Sequence, residues 1–90
     1  MNPKTIYNKL NLIADKLNIK IIKGKGNFKG GCCVIKEEAV IVINKNKPFE
    51  ERVRNLALGL LEFNLDKVQI DSKIKNLIDD YKYAEVKYER

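Results

Sequence analysis

Hydrophobic residues recur every three or four positions in three stretches of the chain, and this spacing predicts three helices that each bury one face. The first helix begins at Asn2-Pro3, where asparagine can cap the helix and proline costs no hydrogen bond. Asn18 is expected to end it in a left-handed conformation. Its predicted buried positions are Ile6, Tyr7, Leu10, Ile13, Ala14 and Leu17.

Two further helices are predicted in the second half of the chain. Pro48 opens the second helix and Asn64 can end it, whereas Asp71 or Ser72 can cap the third. The buried stripe of the second helix is predicted to be Phe49, Val53, Leu56, Ala57, Leu60 and Phe63, and that of the third Ile74, Leu77, Ile78 and Tyr81. A short extended link containing Leu65, Val68 and Ile70 joins the two helices.

Three short β-branched or apolar runs lie between the first and second helices and predict three strands. Residues 19–22 form the first, and residues 32–35 and 39–43 form a hairpin around Lys36-Glu37-Glu38. The last run is apolar on both faces, which is typical of a strand covered on both sides. A further helix or another subunit would have to cover the second face, so a homodimer is one interpretation.

The predicted fold class is therefore α+β, with the order helix, three-stranded sheet and two helices. No linker or internal repeat divides the 90 residues, so residues 1–83 are predicted to form a single domain and residues 84–90 a charged C-terminal tail. The chain has no apolar run near the roughly 20 residues that a membrane span needs and no signal-peptide pattern at its start, which predicts a cytoplasmic protein without membrane contact.

Positive charge is concentrated in the first part of the chain. Residues 1–36 contain eight lysines against one acid, a net charge of +7, whereas the whole chain carries +6. Residues 23–31 include four glycines but lack the spacing of a dinucleotide or phosphate loop. The candidate anion-binding residues are Lys20, Lys23, Lys25, Lys29 and Lys36. They predict either a surface for nucleic acid or another polyanion, or lysine used only for solubility.

Cys32 and Cys33 are adjacent, and the chain has no histidine. Adjacent thiols lack the CxxC spacing of redox and zinc sites, and two thiols cannot complete a four-ligand zinc site. Three interpretations stay open for them: buried small hydrophobic residues, an intermolecular disulfide, or a reactive thiol.

One face of the predicted second helix carries three residues at four-residue spacing: Arg54, Leu58 and Glu62, called here the outer face. Because an α-helix turns by about 100° per residue, Leu58 lies about 180° from Phe49 and points away from the buried stripe. The same geometry lets an HExxH motif present two metal ligands from one side of a helix.

The run Gly30-Gly31-Cys32-Cys33-Val34-Ile35, followed by residues 39–44 and 48–62, resembles the small zincin-like scaffolds called minigluzincins and the metallopeptidase domains of the ImmA/IrrE type. The resemblance implies a helix behind a three-stranded sheet, an active-site helix, and a following helix with an acidic third ligand. It covers nearly the whole chain in element order.

Under that resemblance, the catalytic residues of the family are absent from this chain. Leu58 stands where the first histidine would be, Gly59 replaces the general-base glutamate, and Glu62 replaces the second histidine. Asp79 and Asp80 could lend carboxylates from the third helix, but glycine cannot act as a base. The sequence thus predicts a protein that is not an enzyme and has no metal or other cofactor.

The leading functional prediction is a non-catalytic, degenerate zincin-like domain that binds a protein partner or itself through the outer face or the second sheet face. The alternative is nucleic-acid or polyanion binding by the basic N-terminal half and the glycine-rich loop. A thiol-dependent function at Cys32 and Cys33 is a third hypothesis.

Overall fold

The computed structural model describes residues 2–26, 31–35 and 38–88, with side chains for residues 2–26 and 38–84. Its elements, in chain order, are α1 (Pro3–Lys16), β1 (Lys20–Gly24), β2 (Gly31–Ile35), β3 (Glu38–Asn44), α2 (Phe49–Leu60), a 3-10 turn (Leu65–Lys67) and α3 (Ser72–Tyr88). The predicted positions of α1, α2 and α3 along the chain are confirmed to within a few residues.

The start and end of α1 follow from its sequence. The Asn2 side chain accepts a hydrogen bond from the Thr5 backbone N–H at 2.8 Å, and proline occupies the first turn. Asn18 has a positive φ of 58°, so the predicted left-handed stop is confirmed. The chain then reverses, and Ile19 N–H bonds to Ala14 O at 2.8 Å as the residue leads into β1.

The strands are arranged in the order β1-β3-β2, so β3 lies between the other two. β1 runs parallel to β3, with a register from Lys20 opposite Val40 to Gly24 opposite Asn44. β2, of which the structure describes the backbone, pairs with β3 in the antiparallel direction. The most apolar strand thus takes the central position, where both of its edges are paired.

The predicted architecture of one helix, a three-stranded sheet and two helices on the pattern of a minimal zincin scaffold is wrong. The overturning finding is the pairing of the strands: β1 and β3 form a parallel two-strand unit against which three helices pack, and β2 pairs with the other edge of β3, although the fold is still α+β overall. The sequence predicted the hairpin of β2 with β3 but no strand order, and β3 takes the place beside β1.

All three helices share one hydrophobic core on a single face of the sheet. From β3 this core includes Ile41 and Ile43, which are fully buried, and partly buried Ala39. Val40 is only 1% exposed but lies on the opposite face and outside this core. That a helix or another subunit covers this second face stays a prediction.

The connection between α2 and α3 differs from the predicted extended link. α2 ends at Leu60, before the predicted Asn64, and a 3-10 turn follows. Asn64 begins this turn instead, because its side chain accepts the Asp66 N–H at 3.0 Å. At the next helix Asp71 Oδ1 accepts the Lys73 N–H at 3.1 Å, and α3 continues through Tyr88, past the point where the sequence predicted a tail.

Candidate functional site

The outer face keeps two of its three residues on the helix. Arg54 and Leu58 are half-buried on α2, one turn apart, whereas Glu62 is exposed in the turn beyond the end of the helix. The Glu62 N–H bonds to Gly59 O at 3.2 Å, which tightens the chain after Leu60. Leu58 therefore lies along the chain between a basic and an acidic residue on an accessible surface. The three residues do not form one continuous helical stripe, because Glu62 follows the end of α2.

α3 lies along one side of the outer face. Burial raises the pKa of Tyr81 on α3, the nearby Glu50 carboxylate raises it further, and Arg54 partly opposes both effects. Tyr81 packs against the hydrophobic core that α2 and α3 share, within electrostatic range of the first two turns of α2. Leu58, by contrast, is not part of the hydrophobic core that α3 shares with α2. The third helix packs beside Arg54 and leaves Leu58 half-exposed.

The position that the family resemblance assigns to a general base faces the sheet. Gly59 is buried, and a Cβ atom added to it would lie 3.1 Å from both Cδ1 and Cγ2 of Ile41. Such a contact is already shorter than ordinary van der Waals packing, so a longer side chain at this position would meet the buried face of β3. Gly59 serves close helix–sheet packing.

No group of three or more histidine, cysteine, aspartate or glutamate residues that could hold a metal ion occurs in the part of the chain that the structure describes. Asp79 and Asp80, the predicted acidic helpers, are exposed on α3. Asp79 instead borders a groove of about 420 Å³ beneath the α2–α3 connection, together with Lys75 and the buried Ile78. This groove was not predicted from the sequence, where its only signal is the alternation of apolar and polar residues between Leu65 and Ile70.

The start of the glycine-rich loop is attached to the end of β3. Asn44 is 1% exposed, and its side-chain amide donates to Gly26 O at 2.7 Å. Its side-chain oxygen accepts the Asn46 N–H at 3.0 Å. Gly26 has a φ of 122°, which only glycine adopts without strain. One buried amide thus fixes two turns on the same end of the sheet.

Three of the five candidate anion-binding lysines are described, and all three are exposed at or just after β1. Lys20 and Lys23 belong to the strand and Lys25 follows it. Because successive strand residues alternate in direction, Lys20 and Lys23 lie on opposite faces. β1 therefore carries positive charge on both faces of the sheet. Lys29 and Lys36 lie outside the described residues.

The side chains of Cys32 and Cys33 also lie outside the described part of the structure. Their backbone positions are known from the strand register, which sets Cys32 opposite Ile41 and Cys33 opposite Val40. The three interpretations of the cysteine pair stay open.

No protein-family model, curated protein or solved structure matches this chain. The resemblance to minigluzincins and ImmA/IrrE-type domains therefore stays a prediction. In the described residues no helix combines the length and apolar character that crossing a membrane requires.

Proposed function

We propose that this chain is a non-catalytic module that binds another protein or assembles with itself through the outer face of α2. The observation that carries the proposal is the half-buried Leu58 between Arg54 and Glu62 on an accessible surface. A partly exposed apolar residue flanked by one basic and one acidic residue has the composition of a small protein contact, with an apolar centre and a polar rim.

The packing of Gly59 supports a non-catalytic role for this helix. The atoms nearest to a Cβ built on Gly59 are side-chain atoms of Ile41, so this position contributes to helix–sheet packing. The neighbouring Leu58 offers apolar area, and because it is already half-buried a contact would gain only part of the about 1.5–3 kcal/mol of a fully buried leucine side chain. The helix can therefore provide binding energy where the family that the sequence resembles would perform catalysis.

The test is the molar mass in solution, measured by light scattering across a range of protein concentrations. We expect a mass that rises above the 10.4 kDa of one chain as concentration increases. Leu58→Glu should return the mass to that of a monomer, because the substitution removes the apolar centre and adds a charge that must be desolvated.

Leu12→Glu is the matched control, since it makes the same change at an exposed leucine on α1. It should leave the concentration dependence unaltered. Zinc that stays bound in a one-to-one ratio after dialysis, together with cleavage of casein, would overturn the proposal. A second result would also overturn it. In that result the wild type and Leu58→Glu are both monomeric at every concentration, and the two bind added proteins equally.

A second candidate function is binding of nucleic acid or another polyanion, favoured by the exposure of Lys20, Lys23 and Lys25 along one edge of the sheet. Each phosphate contact releases counterions, so affinity for a labelled single-stranded RNA should fall by at least about tenfold between 50 and 200 mM salt. An RNA that fails to bind at low salt excludes this candidate.

A further inference from the structure

β1 is an edge strand with an unpaired side. β3 lies on one side of it, and no strand in the described ranges 2–26, 31–35 and 38–88 pairs with its other side. Unpaired strand edges present backbone donors and acceptors in the spacing that a further strand requires. The outer edge of β1 is therefore a preformed template for one more strand.

The backbone groups that point outward can be assigned from one hydrogen bond. The Lys45 N–H donates to Gly24 O at 2.9 Å, so Gly24 directs its carbonyl toward the β3 side. Because the direction of backbone N–H and C=O groups alternates along a strand, Ile21 and Lys23 direct theirs to the outer side. An added strand would bond to those two residues.

A groove with a mixed apolar and polar lining runs beside this edge, between α1 and β1. It has a volume of about 440 Å³, and its lining includes Leu12 and Asp15 from α1 and Ile21 and Lys23 from β1. Leu12 is 61% exposed, and Ile22 on the other face of β1 is 36% exposed. Lysines alone would only protect an edge from pairing, but these apolar side chains offer a partner strand something to bury.

The charge around the edge defines what can pair with it. Lys23 lines the groove on the same face of β1 as Ile21, Lys20 borders it from the opposite face, and Asp15 is the one negative charge in this lining. Exposed Lys25 follows the strand. A partner strand with acidic residues would gain from these lysines, since opposite charges on neighbouring strands attract. A second copy of β1 would instead bring its own lysines against them, which disfavours pairing between two copies.

We propose that the outer edge of β1 binds an extended acidic segment of another protein by strand addition, with apolar side chains of that segment in the α1–β1 groove. The inference rests on the proposed function in one respect, namely that the chain is a protein-binding module. In this mode main-chain hydrogen bonds supply affinity, and pockets for alternate side chains supply specificity.

The probe is a fluorescent ten-residue peptide that alternates glutamate and valine, and the control is a peptide of equal composition with all glutamates before all valines. We expect the alternating peptide to bind at least about tenfold tighter by fluorescence anisotropy, because only alternation places acids and apolar groups on separate faces. Amide hydrogen exchange followed by NMR should show new protection at Ile21 and Lys23.

Two substitutions at one exposed position separate backbone pairing from charge. Lys23→Pro removes an outward N–H and should weaken binding by at least about tenfold, whereas Lys23→Gln removes only the charge and should weaken it by about twofold to fivefold. Leu12→Glu should also weaken binding by removing the apolar wall of the groove. Leu58→Glu should bind the alternating peptide as the wild type does.

Equal affinity for the two peptides, or binding that Lys23→Pro leaves unaltered, overturns the inference. A single-stranded RNA that protects Ile21 and Lys23 when the peptide does not assigns the edge to a polyanion instead, and protection by the protein alone at high concentration assigns it to a second copy. If Leu58→Glu lowers the molar mass but the alternating peptide does not bind to β1, only this inference is removed. If the peptide binds to β1 but the wild type is monomeric at every concentration, only the role of the outer face is removed.

Discussion

Gly59 on α2 and Ile41 on β3 meet so closely that a Cβ atom on Gly59 would lie 3.1 Å from two carbons of the isoleucine side chain. Both residues are buried, and Ile41 has no exposed surface. Because Ile41 is enclosed by the core, it cannot easily move away from an added methyl group. This contact sets how closely α2 approaches the sheet and therefore where the outer face lies.

Gly59→Ala is expected to destabilise the fold in spite of alanine's higher helix propensity. Alanine should gain about 1 kcal/mol in a helix, but overpacking against an enclosed side chain costs about 1–3 kcal/mol, for a net loss of about 1 kcal/mol. The measurement is the free energy of unfolding from urea denaturation.

Ile41→Val supplies the matched partner for this test because it shortens the side chain that an alanine at position 59 would meet. Alone it should cost about 0.5–1.5 kcal/mol, but Gly59→Ala should cost less in its presence than in the wild type. Strictly additive effects, or stabilisation by Gly59→Ala alone, would contradict the assigned contact.

Asn44 connects the end of β3 to the glycine-rich loop, so its removal should loosen two turns together. Asn44→Leu leaves the Gly26 carbonyl and the Asn46 N–H without the amide partner and should lower the free energy of unfolding by about 1–3 kcal/mol. Hydrogen exchange at the Asn46 amide should accelerate. Unchanged exchange at this amide would show that the side chain does not hold the turn.

Asn44→Asp provides a pH-dependent version of the same test. The new carboxylate can still accept the Asn46 N–H, but only its protonated form can donate to Gly26 O. Burial and this donated bond raise the pKa of the carboxyl in the folded state and together exceed the opposing effect of the accepted Asn46 N–H. Stability should therefore be highest at acidic pH and fall as pH rises through the folded-state pKa, and a pH-independent difference from wild type would refute the geometry.

Arg52 holds the connection between β3 and α2. Its Nε donates to Lys47 O at 2.8 Å, another guanidinium nitrogen donates to Lys45 O, and the group lies 4.5 Å from the centre of the Phe49 ring. A lysine ammonium cannot reproduce this planar fork, so Arg52→Lys should cost about 1–2 kcal/mol despite keeping the charge.

Phe49→Leu removes the aromatic ring and leaves the two carbonyl acceptors in place. In that background the cost of Arg52→Lys should fall by the share that the ring contributes, about 0.5–1 kcal/mol. If Arg52→Lys has the same free energy of unfolding as the wild type in urea denaturation, the prediction is wrong. The hydrogen bonds from Arg52 to the Lys45 and Lys47 carbonyls would then contribute nothing to stability.

The amphipathic helices were predictable because their signals are local. Asn2 and Asn18 lie at the two ends of α1, and each was assigned its role from the sequence. The parallel pairing of β1 with β3 was not predictable from spacing, since strand order depends on which strand buries most area over long sequence distances. The earlier end of α2 depends on Asn64, which caps the following turn instead of ending the helix.

The candidate site was predictable only in part for the same reason. Helical periodicity put Arg54 and Leu58 on one face of α2, and both are half-buried there. The edge of β1 could not be found from sequence, because it exists only once β3 has taken the inner position. The lysines gave a charge signal, but the groove lined by Leu12 and Ile21 requires α1 and β1 to lie side by side.

Tyr81 reports the packing of α3 against α2 through its ionisation. Burial is the largest cause that raises its pKa above the ordinary value of about 10, followed by Glu50, and Arg54 opposes them. Tyrosinate absorbance at 295 nm should therefore show a late-titrating group that is missing in Tyr81→Phe. Glu50→Gln should move that group to lower pH, because it removes a negative charge that disfavours the phenolate.

The consequence for stability has a definite sign. Since the unfolded chain loses the Tyr81 proton first, stability from this group is fully present below about pH 10 and is lost as pH rises toward the folded-state pKa. Wild type should therefore lose stability more steeply than Tyr81→Phe above pH 10. Parallel stability curves for the two proteins, measured by urea denaturation, would place Tyr81 in solvent and separate α3 from the Arg54 side of the outer face.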